Sequence, residues 1–192
     1  MARLVYNFDN PDRFVAGTVG QPGSRTYYLQ ARERDRIVSV VVEKVQVSLL
    51  AERLSALLGE VRDRGANVPL EPAPAEVDTR PLDEPLNEIF RVGSITIVWN
   101  GEDESITIEA RALDEDDEAA GDILESGGQE DDEDEEDDDS DLVRVRLDPR
   151  KALAFAQRSL EVVAAGRPPC PFCGQPLNPE GHICTRRNGF MH

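Results

Sequence analysis

Apolar positions recur along this chain with two periods, and the changes between them divide it into elements. Phe14 to Val19, Thr26 to Ala31 and Arg36 to Val42 are short runs rich in β-branched and aromatic residues. Turn formers (Gly20, Pro22-Gly23) and the charged stretch Arg32 to Asp35 separate them, which predicts a run of antiparallel strands. The period then lengthens. Val47, Leu50, Leu54, Leu57, Leu58 and Val61 make one stripe of an amphipathic helix, with Gly65 placed for a left-handed C-terminal cap.

Residues 66–89 carry Pro69, Pro72, Pro74, Pro81 and Pro85, which exclude regular structure and predict an extended surface connector. A hairpin follows. Ile95, Ile97 and Trp99 alternate with polar or small neighbours, Asn100-Gly101 makes the turn, and Ile106, Ile108 and Ala110 alternate on the return. Leu142 to Leu147 reads as a further strand with Val143, Val145 and Leu147 inward. Asp148 and Pro149 then start a second helix, whose core stripe is Leu153, Ala156, Leu160 and Val163, with Phe155 and Val162 beside it. Gly166 and Pro168-Pro169 end it. The order is strands then helix, linker, strands then helix, then a tail. It predicts an α+β domain over 1–166, an antiparallel sheet with two helices packed on one face (βββα repeated), and a zinc knuckle or ribbon-like tail over 167–192. No residue-level repeat accompanies the repeated order.

Charge changes this picture at one place. The formal net charge is −18, but 18 of the 39 acidic residues lie between Asp114 and Asp141, a span with no base, leaving 21 acids against 21 bases elsewhere. The body is neutral and bears one anionic insert. Residues 114–141 are expected to be a disordered acidic loop between two strands, since longer loops add only about 0.6 kcal/mol of closure cost per doubling. Its plainest role is solubility. Others are weak divalent-cation binding, mimicry of nucleic acid, or folding back on Arg144, Arg146, Arg150, Lys151, Arg186 and Arg187. No apolar run approaches the roughly 18 residues of a membrane helix, and the first residues, MARLVYNFDNPDRF, lack the apolar segment of a leader. The expectation is a cytoplasmic protein without a membrane partner.

The tail carries the most specific chemistry. It reads Cys170-Pro171-Phe172-Cys173-Gly174, then Gly181-His182-Ile183-Cys184, and holds all three cysteines of the chain. A Cys-x-x-Cys turn brings two thiolates to one ion, and His182 and Cys184, two apart, point the same way in an extended segment. Cys170, Cys173, His182 and Cys184 complete a closed tetrahedral Cys3His shell, which predicts one structural Zn2+ per chain. A disulfide pair would strand one cysteine, and a redox Cys-x-x-Cys belongs at a strand-to-helix junction rather than in a tail after two prolines.

The opening FDNPDRFVAGTVGQPGSRTYYLQAR, the hairpin SITIVWNGEDESITIEARAL and the ending GRPPCPFCGQPLNPEGHICTRRNG resemble an uncharacterised actinobacterial family, the domain of unknown function numbered three thousand and ninety. The resemblance covers nearly the whole chain except the acidic insert. It implies a cytosolic actinobacterial protein and brings neither an activity nor catalytic residues.

Enzyme chemistry finds little footing. With His182 given to zinc and His192 at the end, the body has no histidine for a nucleophilic triad, and it has no phosphate-binding glycine loop. Asp9, Asp12 and Arg13 could line a site, though the same residues make an ordinary polar turn. Trp99 reads as core before it reads as a stacking platform. The leading expectation is a non-catalytic zinc-binding interaction or adaptor protein with a protein partner. The alternatives are a nucleic-acid-binding protein using the tail and sheet, against which stand 5% aromatic content and the clustered acids, and a carboxylate-based hydrolase or transferase. Oligomeric state is not legible.

Overall fold

The computed structural model describes residues 3–74, 76–113, 122–127 (backbone only), 140–166, 170–173 and 184. Among the described residues, eight strands and two helices occur in the order β1 (Val5–Phe8), β2 (Arg13–Val19), β3 (Thr26–Glu33), β4 (Arg36–Val42), α1 (Lys44–Asp63), β5 (Glu88–Asn100), β6 (Ser105–Ala112), β7 (Asp122–Gly127), β8 (Leu142–Leu147) and α2 (Pro149–Ala164). The class is α+β, with four strands and a helix twice, where three strands and a helix are expected from the sequence.

The sheet runs β1-β8-β6-β5-β4-β3-β2, with β7 added to β5. It is mixed, not antiparallel throughout. β1 pairs with β8, β4 with β5, and β7 with β5 in parallel. The parallel pairing of β4 with β5 has a physical reason: α1 and the proline-rich segment carry the chain back to the start of the sheet before it re-enters, as a crossover does. β5 is long enough to take β4 along its first residues and β7 along its last, and it bulges between Val92 and Ser94. Gly93 sits at that bulge because a Cβ there would lie 2.9 Å from Leu113 Cα. β7 falls inside the span expected to be disordered; the rest of 114–139 lies outside the described residues.

One face of the sheet is the core. Leu29 pairs with Ala16 and with Val40, and Ile108 with Ile97 and Val145, so inward residues line up across the strands. Val47, Leu50, Leu54, Leu58 and Val61 of α1 complete this cluster, as the stripe predicts. Gly65, at φ +104°, terminates α1, and Ala66 N–H donates to the Val61 carbonyl at 2.9 Å. α2 differs from its expected stripe. Ala152, Phe155, Ala156 and Ser159 face inward while Leu160 is 40% exposed. Small side chains on the buried side let α2 approach α1 and β2 closely, a fit that a count of apolar residues does not reveal. Asp148 caps this helix as predicted, accepting from the Arg150 and Lys151 N–H groups at 2.9 Å each.

The opposite face of β2, β3 and β4 is covered by the connector. Leu82 packs where Gly17 has no Cβ, and a Cβ there would sit 2.6 Å from the leucine. Buried Gln30 accepts from Asp83 N–H at 2.7 Å and donates to the Asp83 carbonyl and the Ser39 hydroxyl at 3.0 Å each. Ala112 N–H donates to the Asp141 carbonyl at 2.8 Å, so the acidic insert leaves and rejoins the sheet at adjacent positions. No helix among the described residues is long and apolar enough to cross a membrane.

Candidate metal centre

The three cysteines come together. Their Sγ atoms all lie within 4.8 Å of one another, and Cys170 Sγ to Cys184 Sγ is 3.9 Å. Two thiolates on tetrahedral zinc, each about 2.3 Å from the metal, stand about 3.8 Å apart. A disulfide needs about 2.05 Å, and none of the three is in a disulfide. The spacing is too long for a disulfide and would fit ligands of one ion. Cys170 and Cys184 are buried, and Cys173 is half-buried.

The Cys-x-x-Cys turn also prepares its sulfur for metal. Phe172 N–H points at Cys170 Sγ from 3.5 Å. Burial alone would raise the Cys170 thiol, but the N–H groups of Phe172 and Cys173, with the neighbouring thiols, hold it below its ordinary value. That is the direction a thiolate ligand requires. The residues described thus fit a thiolate-binding metal. His182, the fourth ligand expected from the sequence, lies outside the described residues.

A second cluster of charge was not legible beforehand. Asp78, in the connector, accepts from Arg13 Nε at 2.7 Å, from Arg80 Nη2 at 2.7 Å and from Arg158 Nη1 at 3.3 Å. Arg13 is 3% exposed in its side chain and Arg158 8%. Arg13 also donates to the Arg80 and Pro81 carbonyls, and its Nη1 faces Asp83 Oδ2 at 3.1 Å, an ion pair without hydrogen-bond alignment. Arg158 reaches the Ala16 carbonyl at 2.8 Å and the Arg80 carbonyl at 2.7 Å, joining α2, the β2 edge and the connector. Burial works to raise the Asp78 carboxyl, but hydrogen bonds from Arg13 and Arg80 prevail and hold it well below the usual carboxylate range. A general acid or base needs a pKa moved toward neutrality, so this carboxylate is an anchor. Of its members only Arg13 was singled out in the sequence, as a residue that could line a site with Asp9 and Asp12, and its partners here are Asp78 and Asp83 instead.

The other sequence candidates separate. Asp9 is exposed, and Asp12 accepts from Arg34 N–H at 2.6 Å, an ordinary turn contact. Trp99 packs against the core. Arg144 pairs with Glu109 at 2.6 Å and Arg146 with Asp103, so two of the bases considered as partners of the acidic insert have carboxylates of their own. Arg186 and Arg187 lie outside the described residues.

The model of the family described as protein of unknown function (DUF3090) matches residues 6–184. The chain belongs to that family. The match ends at Cys184, the last of the three clustered cysteines. No curated protein matches this DUF3090 member, and no solved structure does.

Proposed function

We propose that this protein is a non-catalytic, zinc-binding interaction protein, in which one structural Zn2+ on Cys170, Cys173, His182 and Cys184 folds the tail into a docking element. The observation that carries the reading is the convergence of three thiols within 4.8 Å, two of them buried. Two buried thiols and a half-buried third suit a closed structural site, and a fourth protein ligand leaves no position for a reacting water. Phe172, between the first two ligands, is 46% exposed, a large apolar side chain carried on the knuckle's surface. The end of α2, from which the tail departs, is tied to the β2–β3 turn by Arg25, which donates to the Ala165 carbonyl at 2.5 Å. Val19, Val45 and Leu160, on elements that meet near this point, are exposed as well. Exposed apolar side chains on both the body and the cysteine turn favour a protein surface as the partner.

The nucleic-acid alternative draws less support. The open side of β5, β6 and β8 carries Thr96, Thr107, Glu109, Arg144 and Arg146, with no aromatic ring among the described residues on which a base could stack. Its arginines already face carboxylates. The test is metal content of the full chain against that of His182→Ala and Cys170→Ser, followed by partner binding of Phe172→Ala. The reading expects one zinc per chain, weakened binding in both ligand variants, and a Phe172→Ala chain that keeps zinc but loses its partner.

A further inference from the structure

A cavity of about 340 Å3 opens beside β2, between the first half of α2, the β1–β2 turn and the connector. Its apolar walls are Val15, Leu147, Ala154 and the stacked rings of Phe14 and Phe155, whose centroids are 4.5 Å apart. The volume is that of a small-molecule site at the lower end of the usual range.

Two polar features of this cavity are uncommitted. The first is backbone. β2 is the last strand of the sheet, so alternate residues turn their N–H and C=O outward. The Ala16 carbonyl meets Arg158 on that side, which sets the parity. Phe14, two residues earlier, therefore turns its N–H and C=O the same way, into the cavity it lines. The second is charge. Asp12, Asp78 and Asp148 spend their carboxylates on Arg34 N–H, on arginines and on the α2 cap, and Glu76 accepts from Ala73 N–H and approaches Arg150 at 4.0 Å. Lys151, at the mouth, bonds only neutral oxygens, Asn10 Oδ1 at 3.3 Å and the Pro11 carbonyl at 3.2 Å. Its ammonium faces no carboxylate among the described residues.

We infer that the cavity binds an apolar N-acyl α-amino carboxylate, either free or as the last residue of a peptide chain. Its amide pairs with the exposed edge of Phe14, and its side chain fills the space between Val15, Leu147 and Phe155. A segment added antiparallel to β2 runs toward the β2 N-terminus, the end at which Lys151 stands, so the terminal carboxylate meets an ammonium. Arg158 occupies the edge at Ala16, which limits the added segment to one residue and its acyl group. This inference is independent of the metal and of the tail.

The test is calorimetric or NMR titration of the full zinc-loaded chain with N-acetyl-L-leucine, its primary amide, and a short peptide ending in leucine. The acid is expected to bind about tenfold more tightly than the amide, the ratio of one charge-assisted hydrogen bond. Lys151→Met brings the acid down to the level of the amide, and Ala154→Leu, which fills the cavity, abolishes both while the melting temperature holds. Tighter binding of the peptide than of the acid makes a polypeptide C-terminus the ligand, and equal binding makes it a free metabolite. Equal affinities for acid and amide, or no saturable binding of acid or peptide at millimolar concentration, would overturn the inference.

Discussion

The connector and the cysteine tail have the same problem and different solutions. Both are rich in proline, and a segment of that composition has little apolar surface with which to hold itself in place. The connector is pinned by groups the folded domain supplies: Arg13 from β2, Arg158 from α2 and Gln30 from β3 grip Asp78, Asp83 and their neighbouring carbonyls. Its anchors exist as soon as the sheet and α2 exist. The tail brings three thiols together, and thiols alone offer little attraction. A segment can be fixed by the fold it lies on, or by an ion that its own side chains surround, and the two kinds of anchor should fail under different conditions.

Metal removal separates them most strongly. Structural zinc contributes about 10–16 kcal/mol of apparent binding free energy in small modules. Chelation, or Cys173→Ser, should therefore make the tail beyond α2 sensitive to protease while the melting transition of the body stays in place. Loss of the body's transition would place the tail inside the cooperative core. Breaking the connector's anchor comes next. Asp78→Asn leaves buried Arg158 without its carboxylate and Arg13 with Asp83 alone, and should cost about 3 kcal/mol, read from denaturant unfolding. Zinc content should not change.

The same carboxylate sets an acid limit. Its folded pKa is depressed, so its contribution is whole above the unfolded value of 3.8 and is lost as pH falls below that toward the folded value. Wild type and Asp78→Asn should differ by a constant amount from pH 7 to about pH 5 and converge below pH 4. Smaller effects sharpen the picture of the connector as a fitted cover. Gly17→Ala drives a Cβ into Leu82 and should cost about 1–2 kcal/mol. Leu160→Ala, on the exposed side of α2, should change stability by under about 0.5 kcal/mol. A large loss there would return Leu160 to the core stripe that periodicity predicts.

Much of the fold was legible because local pattern and burial agree. α1, β4 and β8 follow from period and composition, with the Gly65 cap and the Asp148 cap at their expected places. What escaped has a common cause. β1 is four residues paired in parallel with β8, and β7 lies in an acid-rich span whose composition argues against a strand. Both rest on partners distant in sequence, which periodicity does not see. The parallel β4–β5 pairing and the rotated face of α2 are likewise set by tertiary fit. Of the four ligands expected from the sequence, the three cysteines do converge, because Cys-x-x-Cys sets two of them in one turn, while His182 lies outside the described residues. The Arg13–Asp78–Arg158 cluster was not, because charged residues in a proline-rich segment look like solvated surface until the sheet beneath them is known.

The central claim, a closed Cys3His metal site, is tested most directly by the optical spectrum of the full chain titrated with Co2+ under reducing conditions. The account predicts saturation at one ion per chain, intense d–d bands of a tetrahedral site, thiolate-to-cobalt charge transfer reduced in Cys170→Ser, and a shifted d–d envelope in His182→Ala. Weak octahedral bands, or a spectrum unchanged by either substitution, would contradict it.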